Sequence, residues 1–540
     1  MHVGTRKRTT PRTGVCWVSL CSFTAAAAAL AVVVTVTGPG SAAAAEDTAK
    51  PGARGIGDRL FSYVGNGGYH VRSYDVAYDY RPDTTKMASS VRVDAVATQD
   101  LSEFSLDAAG MTFASVTVDG KAAAFRSKGE KLIITPAHVL PNGQTFRVEV
   151  AYTADRSAQP PSPATPSPAT PDRTRSTLLS PATPPSSDPQ PSHHPLSGWW
   201  DSTDKGKGFA VLGQPDRAHL FFPMNDHPSD KARVTFRITV PKNLTAVANG
   251  TLRRTTTKGD RTTYIYGTRD PIPTEVVQVA VGHYKKITAT GPGGLPLLSY
   301  VPAEKIDKAR PYVDQIGKQI AWVQKKIGSA YPYETYGVLV PEGDYPGAAL
   351  ETATRPTMAL GGPNDAPTMV HELVHQYFGN AVSLKSWDDM WISEGHASYY
   401  TLRYMDETKD TPLKESMDRT YEFDQEKRPV AGPPGRLKDP GEVLGATNAP
   451  GVLMLHGLNR QVGDATFQKI EKTFFERFRN KTASTQDYIN VANEVSGRDF
   501  SAYIKSWIYG AKTPPYPAST PTSTQTGGHK VRAAGPPSRT

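Results

Sequence analysis

The sequence predicts a multidomain chain, with an all-β N-terminal part and an α+β part that ends mostly helical. Three observations carry this. From about Gly68 to Val281, stretches of apolar residues recur at every second position. From Ile306 onward they recur at spacings of three and four. The second part also holds His371-Glu372-Leu373-Val374-His375 with Glu394 downstream, residue types that together bind metals.

Val91, Val93, Ala95 and Ala97 alternate with Arg92, Asp94, Val96 and Thr98, the pattern of a half-buried strand. Phe146, Val148, Val150 and Tyr152 repeat it, and Pro141-Asn142-Gly143 marks a turn. Residues 155–195 break the pattern. Ser-Pro-Ala-Thr-Pro recurs there at 162–166, 167–171 and 180–184, a composition unable to bury a core and expected to form a solvated, disordered insertion. Strands resume with Val234, Phe236, Ile238 and Val240, then Val276 to Val281. Residues 46–290 therefore read as one β-rich domain with a long loop.

Ala309, Val313, Ile316, Ile320, Val323 and Ile327 define one apolar helix face. Tyr336 to Val340 reads as a strand. A helix follows from about Pro367 to Phe378, with Asp365 placed to cap it and Gly379 to end it. Another runs from Ser393 to Met405, and helical pattern continues to about Tyr509. The second domain spans 291–512. The Pro/Thr/Ser-rich tail, 513–540, is expected to be disordered.

Residues 1–45 read as a secretory signal peptide. Arg6, Lys7, Arg8 and Arg12 precede an apolar run from Val15 to Val36, and Ser41 to Ala45 offer a small-residue cleavage site. The run is long enough to span a bilayer, but the site behind it favours removal, leaving no stable membrane anchor. No Arg-Arg pair precedes it, which favours the general export route. The expected location is extracellular. Both cysteines, Cys16 and Cys21, lie in this segment, so the mature chain has no disulfide. Removing the four leader charges lowers the net charge from +9 to +5, and no basic run carries interleaved aromatics, which argues against nucleic acid as a partner.

Two histidines four apart on a helix face the same way and can share one metal. Glu372 is rotated off that face and can act on a water without becoming a ligand. A catalytic zinc takes three protein ligands and keeps a fourth position open; Glu394 is the best third. One Zn2+ on His371, His375 and Glu394 is the expected cofactor.

Four stretches resemble the zinc aminopeptidases related to aminopeptidase N, peptidase family M1. They are His371-Glu372-x-x-His375 with eighteen residues before Glu394; Trp391-Ile392-Ser393-Glu394-Gly395; Ala348-Ala349-Leu350-Glu351-Thr352; and Gln214 to His219 leading into Phe222-Pro223-Met224-Asn225-Asp226-His227-Pro228. The similarity runs from Tyr69 to Pro517 outside the Pro-rich insertion, in the manner of short secreted bacterial members. It implies an all-β saddle domain followed by a thermolysin-like α+β domain, and removal of single residues from peptides with a free N-terminus. It implies Glu372 as general base and acid, with Glu351, Gln214 and Ala349 in the substrate site. Glu351 and Gln214 would hold the α-ammonium.

The pattern departs at one point. Members carry an oxyanion-stabilising tyrosine in a Y-x-x-G stretch, and anchoring on Gly451 puts Asn448 there. Tyr399, Tyr400 and Tyr421 are candidate replacements. His396 is read as packing, and His219, His227 and His456 as structural. Asn448 favours an alternative function, a zinc-binding pseudo-peptidase that captures N-termini with little turnover. A thermolysin-type endopeptidase is disfavoured by the ligand spacing and by Glu351.

Overall fold

The computed structural model describes residues 49–157, 197–202, 208–343, 349–362 and 365–516. The expected signal peptide at 1–45, nearly all of the Pro-rich insertion, Ala348 and residues 517–540 lie outside the described residues.

The period-two segments form the main sheet. Its strands are β1 (Tyr69–Asp79), β2 (Lys86–Ala97), β3 (Met111–Val118), β4 (Thr145–Asp155), β5 (Arg233–Pro241), β6 (Thr251–Lys258) and β7 (Arg261–Gly267), with the short strand Lys121–Ala122 at one edge. The spatial order is β6-β7-β5-β1-β2-β4-β3 and then Lys121–Ala122. Within this sheet only β1 and β5 pair in parallel, Val76 opposite Phe236. Val91, Val93, Ala95 and Ala97 are all buried on one face, as are Val148, Val150 and Tyr152 of β4. Alternation thus set the buried face of each strand. Two four-stranded sheets accompany the main one, and one of them contains Phe209–Leu212 and Val279–Gly282.

The predicted strand at Val276 begins three residues late. Thr274–Val276 is a 3-10 turn, because the Val276 carbonyl accepts from Ala353 N and Asn249 Nδ2 instead of from a neighbouring strand. Tyr336 to Val340 runs beside Pro296–Pro302 with Leu298 N on the Tyr336 carbonyl and Tyr300 N on that of Val338. It forms isolated bridges, not a continuous strand. Gly337 is needed there, since a Cβ would lie 2.0 Å from the Leu298 carbonyl oxygen.

The helices are α1 (Ile306–Val313), α2 (Ile316–Ile327), α3 (Asp365–His375), α4 (Trp391–Glu407), α5 (Leu413–Ala431), α6 (Asn448–Val462), α7 (Asp464–Phe478), α8 (Thr485–Ser496) and α9 (Ser501–Tyr509). The predicted apolar face at 309–327 is fully buried, although a turn divides it into α1 and α2. α3 departs from prediction at both ends. Asp365 lies within its first turn and accepts from Gly362 N. The helix stops at His375, where wider turns take over: Asn380 N bonds to His375 O and Val382 N to Tyr377 O. α4 begins two residues before its predicted start. The tail prediction also starts too early. Thr513 donates to Asp424, Tyr421 to the Pro514 carbonyl, and Tyr516 packs on Tyr421 at 5.0 Å.

One junction has no sequence signature. Asp58 Oδ1 accepts from Leu60 N and Phe61 N, while Oδ2 accepts from Ser386 Oγ and Trp387 N and faces His227 Nε2 at 3.2 Å. Phe61 packs edge-on against Trp387 at 5.1 Å. This ties the start of the β part to the segment that leads into α4.

Candidate metal centre

α3 buries Met369, Val370, Leu373 and Val374 and turns His371 and His375 to its other side. Their Nε2 atoms are 2.9 Å apart. The first turn of α4 brings Glu394 Oε2 to 3.5 Å from His371 Nε2 and 3.9 Å from His375 Nε2. One donor atom from each residue lies within 4.8 Å of the others, a grouping found nowhere else among the described residues. Ligands about 2.0–2.2 Å from one tetrahedral zinc stand roughly 3.3–3.5 Å apart. The two-nitrogen, one-carboxylate set therefore fits a single zinc ion.

The neighbours orient these ligands. His375 Nδ1 lies 2.9 Å from Ser393 Oγ and 3.4 Å from the Phe378 carbonyl, so Nδ1 carries the proton and Nε2 is the ligand nitrogen. Gly379 sits at φ +117°, and a Cβ there would lie 2.3 Å from Ser393 Oγ. Burial pushes His375 down to about 3, and the charge of His371 adds to this. Burial also opposes charge on His371, but Glu394, Glu372 and Glu351 outweigh it and raise it to about 9. Burial lifts Glu372 to about 8, and its Oε2 is buried without a hydrogen-bond partner. Three carboxylates thus converge where a cation is required.

Glu351 is buried beside this cluster. Gln214 Nε2 donates to its Oε1 at 2.6 Å, and that oxygen is 4.0 Å from His375 Nδ1. Burial raises the Glu351 carboxyl despite the Gln214 bond. Asn380 Nδ2 and Gln376 Nε2 donate to the Glu351 carbonyl at 2.7 and 3.1 Å, while Gln376 Oε1 accepts from Thr354 N. Sequence reasoning missed Ser393, Gln376 and Asn380, whose partners are remote in the chain and leave no local signal. Ala349 is half-buried and pairs with Met358 in a two-stranded ribbon.

Asn448 opens α6. α4 and α6 cross at a glycine pair: a Cβ on Gly395 would lie 2.8 Å from Gly451 Cα. Glu394 precedes one glycine and Asn448 lies one turn before the other, so the crossing carries Asn448 to the metal ligands. A cleft of about 410 Å³ opens there, lined by both His371 and Asn448. No tyrosine among the described residues lines it. The three candidate tyrosines are committed elsewhere. Tyr399 is buried against Phe467 and Arg403, Tyr400 donates to Glu471, and Tyr421 donates to Pro514. His396 stacks on Phe378 at 4.2 Å, with Nδ1 on the Ile392 carbonyl and Nε2 3.3 Å from Glu471, which rules it out as a ligand here. His219 bonds Asp226 at 2.6 Å, a structural role, as is that of His227.

Two family models match, the Peptidase M1 N-terminal domain over residues 193–275 and the Peptidase family M1 domain over residues 312–507. Together they span just over half of the chain. The chain belongs to peptidase family M1. The leucyl aminopeptidase of Saccharolobus solfataricus is 24% identical over 56% of this chain and 41% of its own length. Glutamyl aminopeptidase of Sus scrofa is 26% identical over 58% of this chain and 36% of its own. Aminopeptidase N of Streptomyces lividans is 25% identical over 57% and 40%. The chain thus spans about two-fifths of the length of these curated relatives. The crystal structure of an M1 zinc metallopeptidase from Deinococcus radiodurans matches with a TM-score of 0.72 at 25% identity, covering 86% of this chain and 100% of that one. A mutant of that enzyme has been solved bound to a Tyr-Ser-Ala substrate, with a TM-score of 0.69. The two-domain M1 fold, a β-rich part followed by a helical peptidase part, is therefore the fold of this chain.

Proposed function

We propose that this M1 chain is a secreted zinc aminopeptidase that removes N-terminal residues from peptides. The observation that carries the reading is the meeting of His371, His375 and Glu394 within 4.8 Å, with the buried Glu351–Gln214 pair beside them.

His371, His375 and Glu394 would hold one zinc. When bound, zinc supplies Lewis acidity, which acidifies water and polarises a carbonyl. Glu372 moves the proton. It takes one from the attacking water and gives it to the leaving nitrogen. Ser393 and the Phe378 carbonyl hold His375 in its ligating orientation. Glu351 and Gln214 bind the substrate α-ammonium; a hydrogen bond to a charged group contributes about 1.5–3 kcal/mol, enough to set the register of cleavage by one residue. Asn448 lines the cleft that opens at His371, where it would stand in place of an oxyanion-stabilising tyrosine. Export rests on the leader at 1–45, and detection of a processed N-terminus near Ala45 in culture medium would bear it out.

The exopeptidase part of the reading is tested with a peptide pair, one with a free amine and one acetylated. Cleavage of the free amine alone is expected. Equal cleavage of both would overturn the N-terminal anchor and return the site to a thermolysin-type endopeptidase.

A further inference from the structure

The cleft at the metal ligands continues along three helices. On α4, Glu394, Ser398, Thr401 and Met405 follow at spacings of four, three and four, so they form one stripe that leads away from the metal ligands. Eleven residues of helix cover roughly 16 Å, the length of four or five extended residues. Glu351, Gln214 and Ala349 do not line this cleft, whereas His371 and Asn448 do. The ammonium anchor and the cleft are thus separate subsites on either side of the metal ligands, of which His371 lines the cleft.

The cleft wall is apolar where it leaves the metal ligands. Leu402 and Met405 of α4, Phe423 of α5 and Val452 of α6 all line it. Phe423 is 47% exposed, second only to Val430 among the five exposed large hydrophobic residues of the described chain, and the only one of the five lining this cleft. An exposed aromatic ring at the mouth of a cleft is covered when a ligand binds. Among the described residues no carboxylate lines the cleft, and the one permanent cation that does, Arg419, is paired with Glu415 at 2.8 Å.

We infer that this cleft receives the residues following the scissile bond and selects apolar side chains there, with Phe423 as a specificity-determining residue. The inference rests on the aminopeptidase reading. A lysine side chain laid along the same wall would lose water and gain no acidic partner, so the wall discriminates against it as well as favouring apolar residues.

The test compares Ala-Phe-Phe-amide, Ala-Gly-Gly-amide and Ala-Lys-Lys-amide on the zinc-loaded full chain. The expected order of kcat/KM is Phe over Gly over Lys, with about tenfold or more between first and last, the scale on which apolar subsites discriminate. In Phe423→Ser the ratio of Phe to Gly shrinks; the ring is solvent-facing, so its removal leaves the core packed. Calorimetric binding of the same peptides to Glu372→Gln follows the same order without turnover. Release of alanine at equal rates from all three peptides, or an unchanged ratio in Phe423→Ser, would overturn the inference and leave the aminopeptidase reading standing. No release from any of them would overturn both.

Discussion

Glu372, Ser393 and Asn448 make separable contributions at the metal ligands. Glu372→Gln keeps shape and removes the proton carrier, and positioned acid–base groups contribute about 10²- to 10⁴-fold. Peptide turnover should fall by that much while zinc content stays at one per chain. Ser393→Ala frees the His375 ring. Loss of such a supporting bond weakens metal affinity about 10- to 100-fold, which competition with a chelating dye will read. Removing one oxyanion donor lowers turnover by about 10²- to 10³-fold. Since no described tyrosine lines the cleft, Asn448→Tyr is expected to raise kcat at least about tenfold. An unchanged kcat would mean the Asn448 amide already serves. At this scale His371, Glu372, His375 and Glu394 were legible because a helix's period converts spacing into geometry. Gln376 and Asn380 were not, because they act on Glu351 and Thr354 across folds of the chain.

The decisive element contact is the crossing of α4 and α6. Their backbones approach at Gly395 and Gly451, leaving no room for a side chain. Gly395→Val would push the helices apart, and overpacking of this kind destabilises by about 1–3 kcal/mol. Because Glu394 and Asn448 flank the crossing, the same change should lower both the urea midpoint and zinc affinity. A variant destabilised with unchanged zinc affinity would show that the crossing supports the fold alone. The strands were legible from period two wherever one face is buried. Boundaries were less so. α3 ends at His375 because its last carbonyls bond forward across wider turns, and Val276 leaves its strand because Ala353 and Asn249 claim its carbonyl. Neither competitor is visible in the local sequence.

Buried charge ties the whole molecule together, and its titration sets the range of stability. Burial alone would lower the affinity of His219 for a proton, but Asp226 and Glu130 outweigh it and raise His219 to about 9. That exceeds the unfolded value near 6.5. The stabilisation is therefore complete below pH 6.5 and lost as pH rises through about 9. Asp58 has the opposite sign. Burial favours its protonation, yet His227 and the amides of Phe61 and Trp387 hold it well below the usual carboxylate range, so its contribution is present above about pH 4 and lost in stronger acid. Urea midpoints should decline on both flanks, with His219→Gln flattening the alkaline side. The two-part architecture was legible because period two gives way to period 3.6 near Ile306. The Asp58 junction was not, because its partners lie more than 160 residues away in the chain.

The most direct test is release of amino-acid p-nitroanilides by the purified chain, with zinc, with chelator, and as Glu372→Gln. Release that follows zinc content, stops with chelator and falls at least about a hundredfold in Glu372→Gln is the predicted result. A chain that holds one zinc and releases nothing would contradict the account and make the site a binding pocket for peptide N-termini.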